Sequence, residues 1–383
     1  MERKHFSFGA MTLLAAAMTS CSLDAPFEDL EKSSSTPASD IIGFRVQTSS
    51  MTRACDSYSN NLKPSSFMVS ALDGADNYFG SVPEIVTSSD NGSTWSSANR
   101  LRWPKDKPQH WDGLSFYALI DGNDPDILQY TYGRGGGSRL DLTSSQPTLH
   151  NFSVDDDVRN HKDLMYAVAK NVKQTTSCGN VTLNFRHALS QICFTAQNCN
   201  PTLDNIEILS IELGGVIGNA SYIFPGNSTQ NVRAGYSGDK EYGQWIPAQG
   251  ASERTFTISD LDIELGATDA SGKGKVTNIS RPSYSREGKT TSVSNLSNTM
   301  YMIPQTAVGR IFESDNAGAY VKVTVRKTPK GGVPAANPEV TFIPLDVNWK
   351  EGRRYTYDLA WKATAISFSV TVADYSDVSM GDH

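Results

Sequence analysis

Apolar and polar residues alternate in short runs along most of this chain, and two clear runs lie at opposite ends. Near the start, Ile42, Phe44 and Val46 share one parity, with Gly43 and Arg45 between them. Near the end, Ile366, Phe368, Val370 and Val372 do the same, separated by serine and threonine. Strict period-two alternation predicts half-buried β-strands, because successive side chains on a strand point to opposite faces. Further strands are predicted at 66–72, 114–120, 163–169, 181–185, 192–196, 206–213, 301–304, 320–326, 340–347 and 354–361, with a last one at 365–372. Turn sequences punctuate them, among them Asp90-Asn91-Gly92-Ser93, Asp121-Gly122-Asn123-Asp124-Pro125, Lys330-Gly331-Gly332 and Glu351-Gly352. Long helical periodicity is missing, and the best helical candidate, 56–62, is brief.

Composition agrees with an all-β protein. The chain carries 30 Gly and 17 Pro among many short strands, which argues for sandwiches rather than a parallel α/β sheet. Residues 21–40 form a polar tether, acidic at Glu28, Asp29 and Glu31 and then rich in serine. About 340 residues follow it, more than one sandwich core comfortably holds, so two tandem domains are expected. They are placed at 41–199 and 200–383, with the joint near Cys199-Asn200-Pro201. The stretches 133–138 and 262–298 are expected to be long surface loops. A terminal strand can leave one molecule and be supplied by another without unravelling the interior, which is the physical requirement for polymerisation by strand addition. The end segments 41–53 and 365–372 are the two placed to exchange in this way.

The first 20 residues read as a signal peptide. Arg3 and Lys4 precede an apolar stretch too short to span a bilayer, and Thr19-Ser20 lead into Cys21. Small residues directly before a cysteine resemble a bacterial lipobox, which makes Cys21 the expected lipidation site and the anchor to the outer membrane; an ordinary secretory signal is the alternative. Removing 1–20 takes the formal charge from −7 to −8. An acidic protein of this kind has no electrostatic footprint for nucleic acid. Of the remaining cysteines, Cys193–Cys199 and Cys178–Cys193 are conceivable disulfides in an oxidising compartment, and buried thiols are the competing reading; Cys55 completes the set.

Enzyme and metal signatures fail one by one. Gly288-Lys289-Thr290 ends like a phosphate-binding loop, but Ser283 stands where that loop needs glycine. The run Asp121-x-Asn123-Asp124-x-Asp126 suggests calcium until Pro125 is placed in its fifth position. Asp155-Asp156-Asp157 reads as a solvated acidic turn. His187, alone on a strand, is expected to be packed or hydrogen-bonded, and His110, His150 and His161 to face solvent. Trp95 and Trp245 are the better candidates for stacking on a sugar, weighed against a structural role, whereas Trp103 and Trp349 are expected in the core. No catalytic residue, metal site or cofactor is expected.

Several segments in order resemble the fimbrillin family of Bacteroidales, which includes major and minor fimbrial subunits and Mfa-like lipoproteins. They are Ile42-x-Phe44 followed by Thr52-Arg53-Ala54; Phe67-x-Val69-x-Ala71; Arg102-Trp103-Pro104 before Leu114-Ser115-Phe116-Tyr117-Ala118; and Asp163-Leu164-Met165-Tyr166-Ala167. Two more are Val181-x-Leu183-x-Phe185-x-His187-Ala188-Leu189-Ser190-x-Ile192 and Trp349-x-x-Gly352-x-x-Tyr355-x-Tyr357-x-Leu359. The resemblance implies two transthyretin-like β-sandwiches, export as a lipoprotein, and maturation by an arginine-specific protease at Arg53–Ala54. It further implies that the displaced strand with Ile42, Phe44 and Val46 is replaced by a neighbour's donor strand with Ile366, Phe368, Val370 and Val372. Other fimbrial subunits are then the partners, with a glycan or host receptor for adhesion. A non-polymerising surface lipoprotein, or a tip or anchor protein, is the alternative.

Overall fold

The computed structural model describes residues 40–47, 66–80, 83–90, 94–121, 139–141, 147–161, 163–177, 179–225, 243–270, 272–279, 299–310, 318–362 and 365–374. In chain order the main strands are β1 (Gly43–Gln47), β2 (Ser66–Asp73), β3 (Glu84–Thr87), β4 (Leu114–Asp121), β5 (Thr148–Ser153), β6 (Leu164–Val172), β7 (Asn180–Asn184) and β8 (Ser190–Asn198). They continue with β9 (Asp204–Ile217), β10 (Asn219–Ile223), β11 (Gln244–Pro247), β12 (Glu253–Ile258), β13 (Tyr320–Pro329), β14 (Glu339–Pro344), β15 (Arg353–Trp361) and β16 (Ile366–Asp374). The fold is all-β. Each strand predicted from alternation is present, although 340–347 splits into β14 and the pair Val347–Asn348. The helical candidate at 56–62 lies outside the described residues.

An antiparallel sheet ordered β6-β4-β2-β3 forms the middle layer. Register places Val69, Ala118 and Ala167 side by side, and Met68, Leu119 and Tyr166 in the next row. Both rows are buried, because each face of the sheet is covered. The first face packs against β1 and β7 and holds Phe67, Phe116, Ile120, Val181, Leu183 and Phe185. The second face meets the sheet ordered β11-β10-β5, through Tyr117 against Phe224 at 5.9 Å and Tyr166 against Tyr222 at 5.2 Å. A sheet buried on both faces reads as a nearly continuous apolar run, which is what β2, Ser66–Asp73, shows.

The second core starts on that face and runs on to two further sheets, β8-β15-β16 and β12-β9-β13-β14. Tyr355, Tyr357, Leu359 and Trp361 alternate inward along β15, and Val321, Val323 and Val325 do so along β13. β8 runs parallel to β15 from Gln191↔Arg354 to Asn198↔Trp361. The joint expected at 199–201 therefore comes directly after a strand that pairs with 354–361. β10, in turn, pairs with β5 from the other side of that joint. Ala38–His383 cluster as one compact unit. The stretch 262–298, expected as a surface loop, contributes Ile263–Glu264 and Thr277–Asn278 to the sheets and buries Leu265 and Ile279. Two-residue pairings of this length leave no periodic trace in a sequence.

Candidate functional site

The first strand occupies a groove on the first core. Backbone pairing holds it along one side: Gly43–Gln47 runs parallel to Asn180–Asn184, with Phe44 opposite Val181 and Val46 opposite Leu183. Just upstream the chain switches partner, with Ile42 N donating to Leu101 O at 2.8 Å and Trp103 N to Asp40 O at 2.9 Å. The alternation read from sequence sorts the side chains as expected: Ile42 and Phe44 are buried, Val46 packs on the core and Arg45 is exposed. Ile41, at the head of the segment, is exposed. Phe44 presents its ring edge-on to Phe67 at 5.8 Å and to Phe116 at 6.2 Å. Burying Ile42 and Phe44 contributes roughly 1.5–3 kcal/mol each, so apolar packing is a main contribution to holding this strand.

The last strand is docked on its own chain as an edge. β16 is antiparallel to β15 over nine residue pairs, from Trp361↔Ile366 to Arg353↔Asp374, with no strand on its other side among the described residues. Its apolar face is unevenly covered. Phe368 stacks on Tyr357 at 5.3 Å and Ile366 packs on the core, but Val370 and Val372 are 49% and 53% exposed. An exposed apolar edge of this kind is what native proteins usually blunt, because it offers a template for pairing with another chain.

Buried polar groups join the layers. Glu351 sits in the turn before β15, followed by Gly352 at φ 66°, and Gly352 N donates to Leu189 O. Its carboxylate accepts from Tyr166 Oη at 2.6 Å and Tyr222 Oη at 3.1 Å, bringing β6, β10 and this turn to one point. Burial pushes its pKa up to about 8, although the two tyrosines, the Arg186 guanidinium and the Gly243 N–H all favour the charged form. No motif marked this carboxyl; its neighbours come from three separate segments. His187 pairs with Asp163 at 2.6 Å, both buried, as a hydrogen-bonded structural histidine should.

His161, by contrast, is buried and does not face solvent. Its Nδ1 accepts from Tyr301 N at 3.2 Å, so Nε2 carries the proton and donates to Asp155 O at 2.9 Å. Burial drives its pKa down to about 4, against the opposing pull of Asp155 and Asp157. Neutral His161 thus contributes stability above its free value of 6.5 that is lost as pH falls toward 4. A proton-NMR titration is expected to find this ring uncharged down to about pH 4, and a midpoint near 6.5 would contradict the assignment.

The remaining chemical candidates dissolve into structure. Asp157 caps the short turn Val158–Asn160, and Asp156 pairs with Arg254. Among the described residues, no group of three or more metal-ligating side chains is found, and no helix is long and apolar enough to cross a membrane. Cys193 and Cys199 are free: they stand six residues apart along a single extended segment, too far to bond. Trp95 is buried against Phe67, and the half-buried Trp245 donates to Ala188 O at 2.8 Å and packs at a tilt against Tyr222, so both serve the packing of the fold. Trp103 and Trp349 are in the core. Cys21, Arg53, Ala54, Cys55 and Cys178 lie outside the described residues, as do 122–126 of the calcium-like run and the Gly288 loop.

The pattern that defines fimbrillin-like proteins matches residues 52–374. The chain belongs to the fimbrillin-like family. Among solved structures, a fimbrial protein from Bacteroides vulgatus superimposes with a TM-score of 0.55 at 19% identity, covering 88% of this chain and 99% of that one, a likeness of fold. A Bacteroides uniformis protein provisionally assigned to cell adhesion aligns at TM-score 0.45 and 13% identity, covering 89% and 100%. The tip fimbrial protein Mfa3 from Porphyromonas gingivalis, with a C-terminal truncation, aligns at 0.33 and 10%, covering 87% and 98%. No match was found among the curated proteins. Membership in the fimbrillin-like family makes this a structural protein rather than an enzyme. It supports a fimbrial or adhesive role at the cell surface and association with other fimbrial subunits.

Proposed function

We propose that this fimbrillin-like chain is a subunit of a cell-surface fimbria that assembles by strand exchange. It is exported as a lipoprotein on Cys21 and cut between Arg53 and Ala54 by an arginine-specific protease. The cut frees the first strand, and the C-terminal strand of a neighbour takes its place. One observation carries the reading: the first segment buries Ile42 and Phe44 in the core, yet beyond a short bridge to 101–103 its strand β1 pairs, among the described residues, only with β7. Such a segment can leave as a unit, and its loss opens an apolar groove lined by Phe67, Phe116, Val181 and Leu183 beside unpaired backbone groups. A strand bearing Ile366, Phe368, Val370 and Val372 supplies on the order of 6–12 kcal/mol of gross burial for that groove, before the cost of ordering it. The contact is head-to-tail and does not close, so it propagates into a filament.

A second reading, a surface lipoprotein that binds a glycan or host protein without polymerising, is favoured by the nine-pair ladder holding β16 at home. Incubating the purified precursor with an arginine-specific protease separates the two. Cleavage after Arg53 followed by a ladder of heat-labile oligomers is expected, and deletion of 365–383 is expected to abolish the ladder. A cleaved chain that stays monomeric supports the second reading instead.

A further inference from the structure

The two terminal strands are spelled alike. Ile42-Gly43-Phe44-Arg45-Val46 and Ile366-Ser367-Phe368-Ser369-Val370 share isoleucine, phenylalanine and valine at alternate positions. In the first strand those are the positions that enter the core. Resting on the strand-exchange reading above, we propose that an incoming C-terminal strand lies parallel to β7 with Ile366, Phe368 and Val370 in the places of Ile42, Phe44 and Val46, so that Phe368 fixes the register.

The groove itself supports this register. Phe44 sits edge-on to both Phe67 and Phe116 and opposite Val181, a pocket shaped for an aromatic ring. β16 offers one aromatic, Phe368, and sliding the strand by two residues would put a branched aliphatic side chain there instead. A one-residue slip would turn serines into the core. Strand direction is decided at the ends. Continuing the β1–β7 register by one step sets Val372 opposite Phe185, where this chain's own sequence has Thr48. The antiparallel alternative carries Val372 to the position of Asp40, among polar atoms that pair with Arg102. The parallel strand therefore covers all four of its apolar side chains and adds one that the displaced strand lacks. At home, Val370 and Val372 remain half-exposed.

Disulfide trapping in the full chain tests the register. In the proposed arrangement Ser369 takes the place of Arg45 and lies opposite Thr182, at the close Cα spacing of paired strands that a disulfide can bridge. The double variant Ser369→Cys, Thr182→Cys is compared with Ser367→Cys, Thr182→Cys and with the unaltered chain, each cleaved with an arginine-specific protease and then oxidised. The expected result is a ladder that survives heating and disappears on reduction for the first pair alone. A covalent ladder from the second pair alone overturns the direction, since an antiparallel strand brings residue 367 opposite 182. Heat-labile ladders from both variants with no covalent link in either overturn the register while leaving strand exchange standing. Absence of any ladder, the unaltered chain included, defeats strand exchange and this inference with it. Phe368→Ala is further expected to weaken assembly by about 100-fold or more and Val370→Ala by about 10-fold; equal effects would count against Phe368 as the register residue.

Discussion

Between about pH 6.5 and 9 this fold is expected to lose about 2 kcal/mol of stability that Glu351→Gln does not lose. The sign follows from the carboxyl's environment. Burial among Tyr166, Tyr222, Arg186 and the Gly243 N–H raises its pKa from 4.5 to about 8. The native chain therefore keeps a proton that the unfolded chain has released, and the contribution is fully present below 4.5 and lost as pH rises through about 8. Each unit of that interval is worth about 1.4 kcal/mol. Below 6.5, His161 acts with the opposite slope and offsets Glu351, which is why the upper window isolates the carboxyl. Urea denaturation at several pH values measures the difference, and superimposable profiles for the two proteins would refute it. Glu351→Ala is a harsher change. It strands two buried tyrosine hydroxyls, each worth about 1–3 kcal/mol when unsatisfied, so a loss of about 2–6 kcal/mol is expected near pH 6.5, shrinking toward pH 9 as the native chain loses its own contribution.

Phe44→Ala is expected to weaken docking of the first strand by about 3–5 kcal/mol, the usual range for truncating a buried phenylalanine. Because β1 pairs only with β7 among the described residues, the loss should fall on local opening more than on global unfolding. Hydrogen exchange is the direct measurement: amides of β1 and β7 should lose protection by about 100-fold or more, while the β13 ladder keeps its own. The exposed neighbour offers the control, since Arg45→Ala should change little, within about 0.5 kcal/mol. Equal effects at 44 and 45 would show that the strand is held by its backbone and not by its apolar side. If the groove is the acceptor, Phe44→Ala should also hasten assembly after cleavage, because it weakens the segment that must leave and leaves the incoming strand intact.

The parts legible from sequence are those governed by nearest neighbours. Alternation located β15 and sorted Tyr355, Tyr357, Leu359 and Trp361 inward before any partner was known, because side-chain parity is a property of the strand itself. The same reasoning sorted Ile42, Phe44 and Val46. It failed at His161, whose polar, loop-like surroundings suggested exposure: two distant backbone groups, Tyr301 N and Asp155 O, satisfy both ring nitrogens and make burial affordable. It also failed at 263–264 and 277–278, where strands of two residues are stabilised by the sheets they join and not by their own pattern.

Sequence alone determined the all-β character and, for the strands whose alternation is clear, which side is apolar, since these follow from a repeat of two residues; β3, β5, β10, β11 and β12 carried no such signal. Tertiary structure decided the pairing: that β1 lies parallel to β7, that β8 crosses to lie beside β15, and that the middle sheet is covered on both faces. It also decided that a turn carboxyl, Glu351, becomes a buried acid between Tyr166 and Tyr222. The reason is physical. Parity is set by bonds along the chain, whereas pairing and desolvation depend on which distant segments exclude water together.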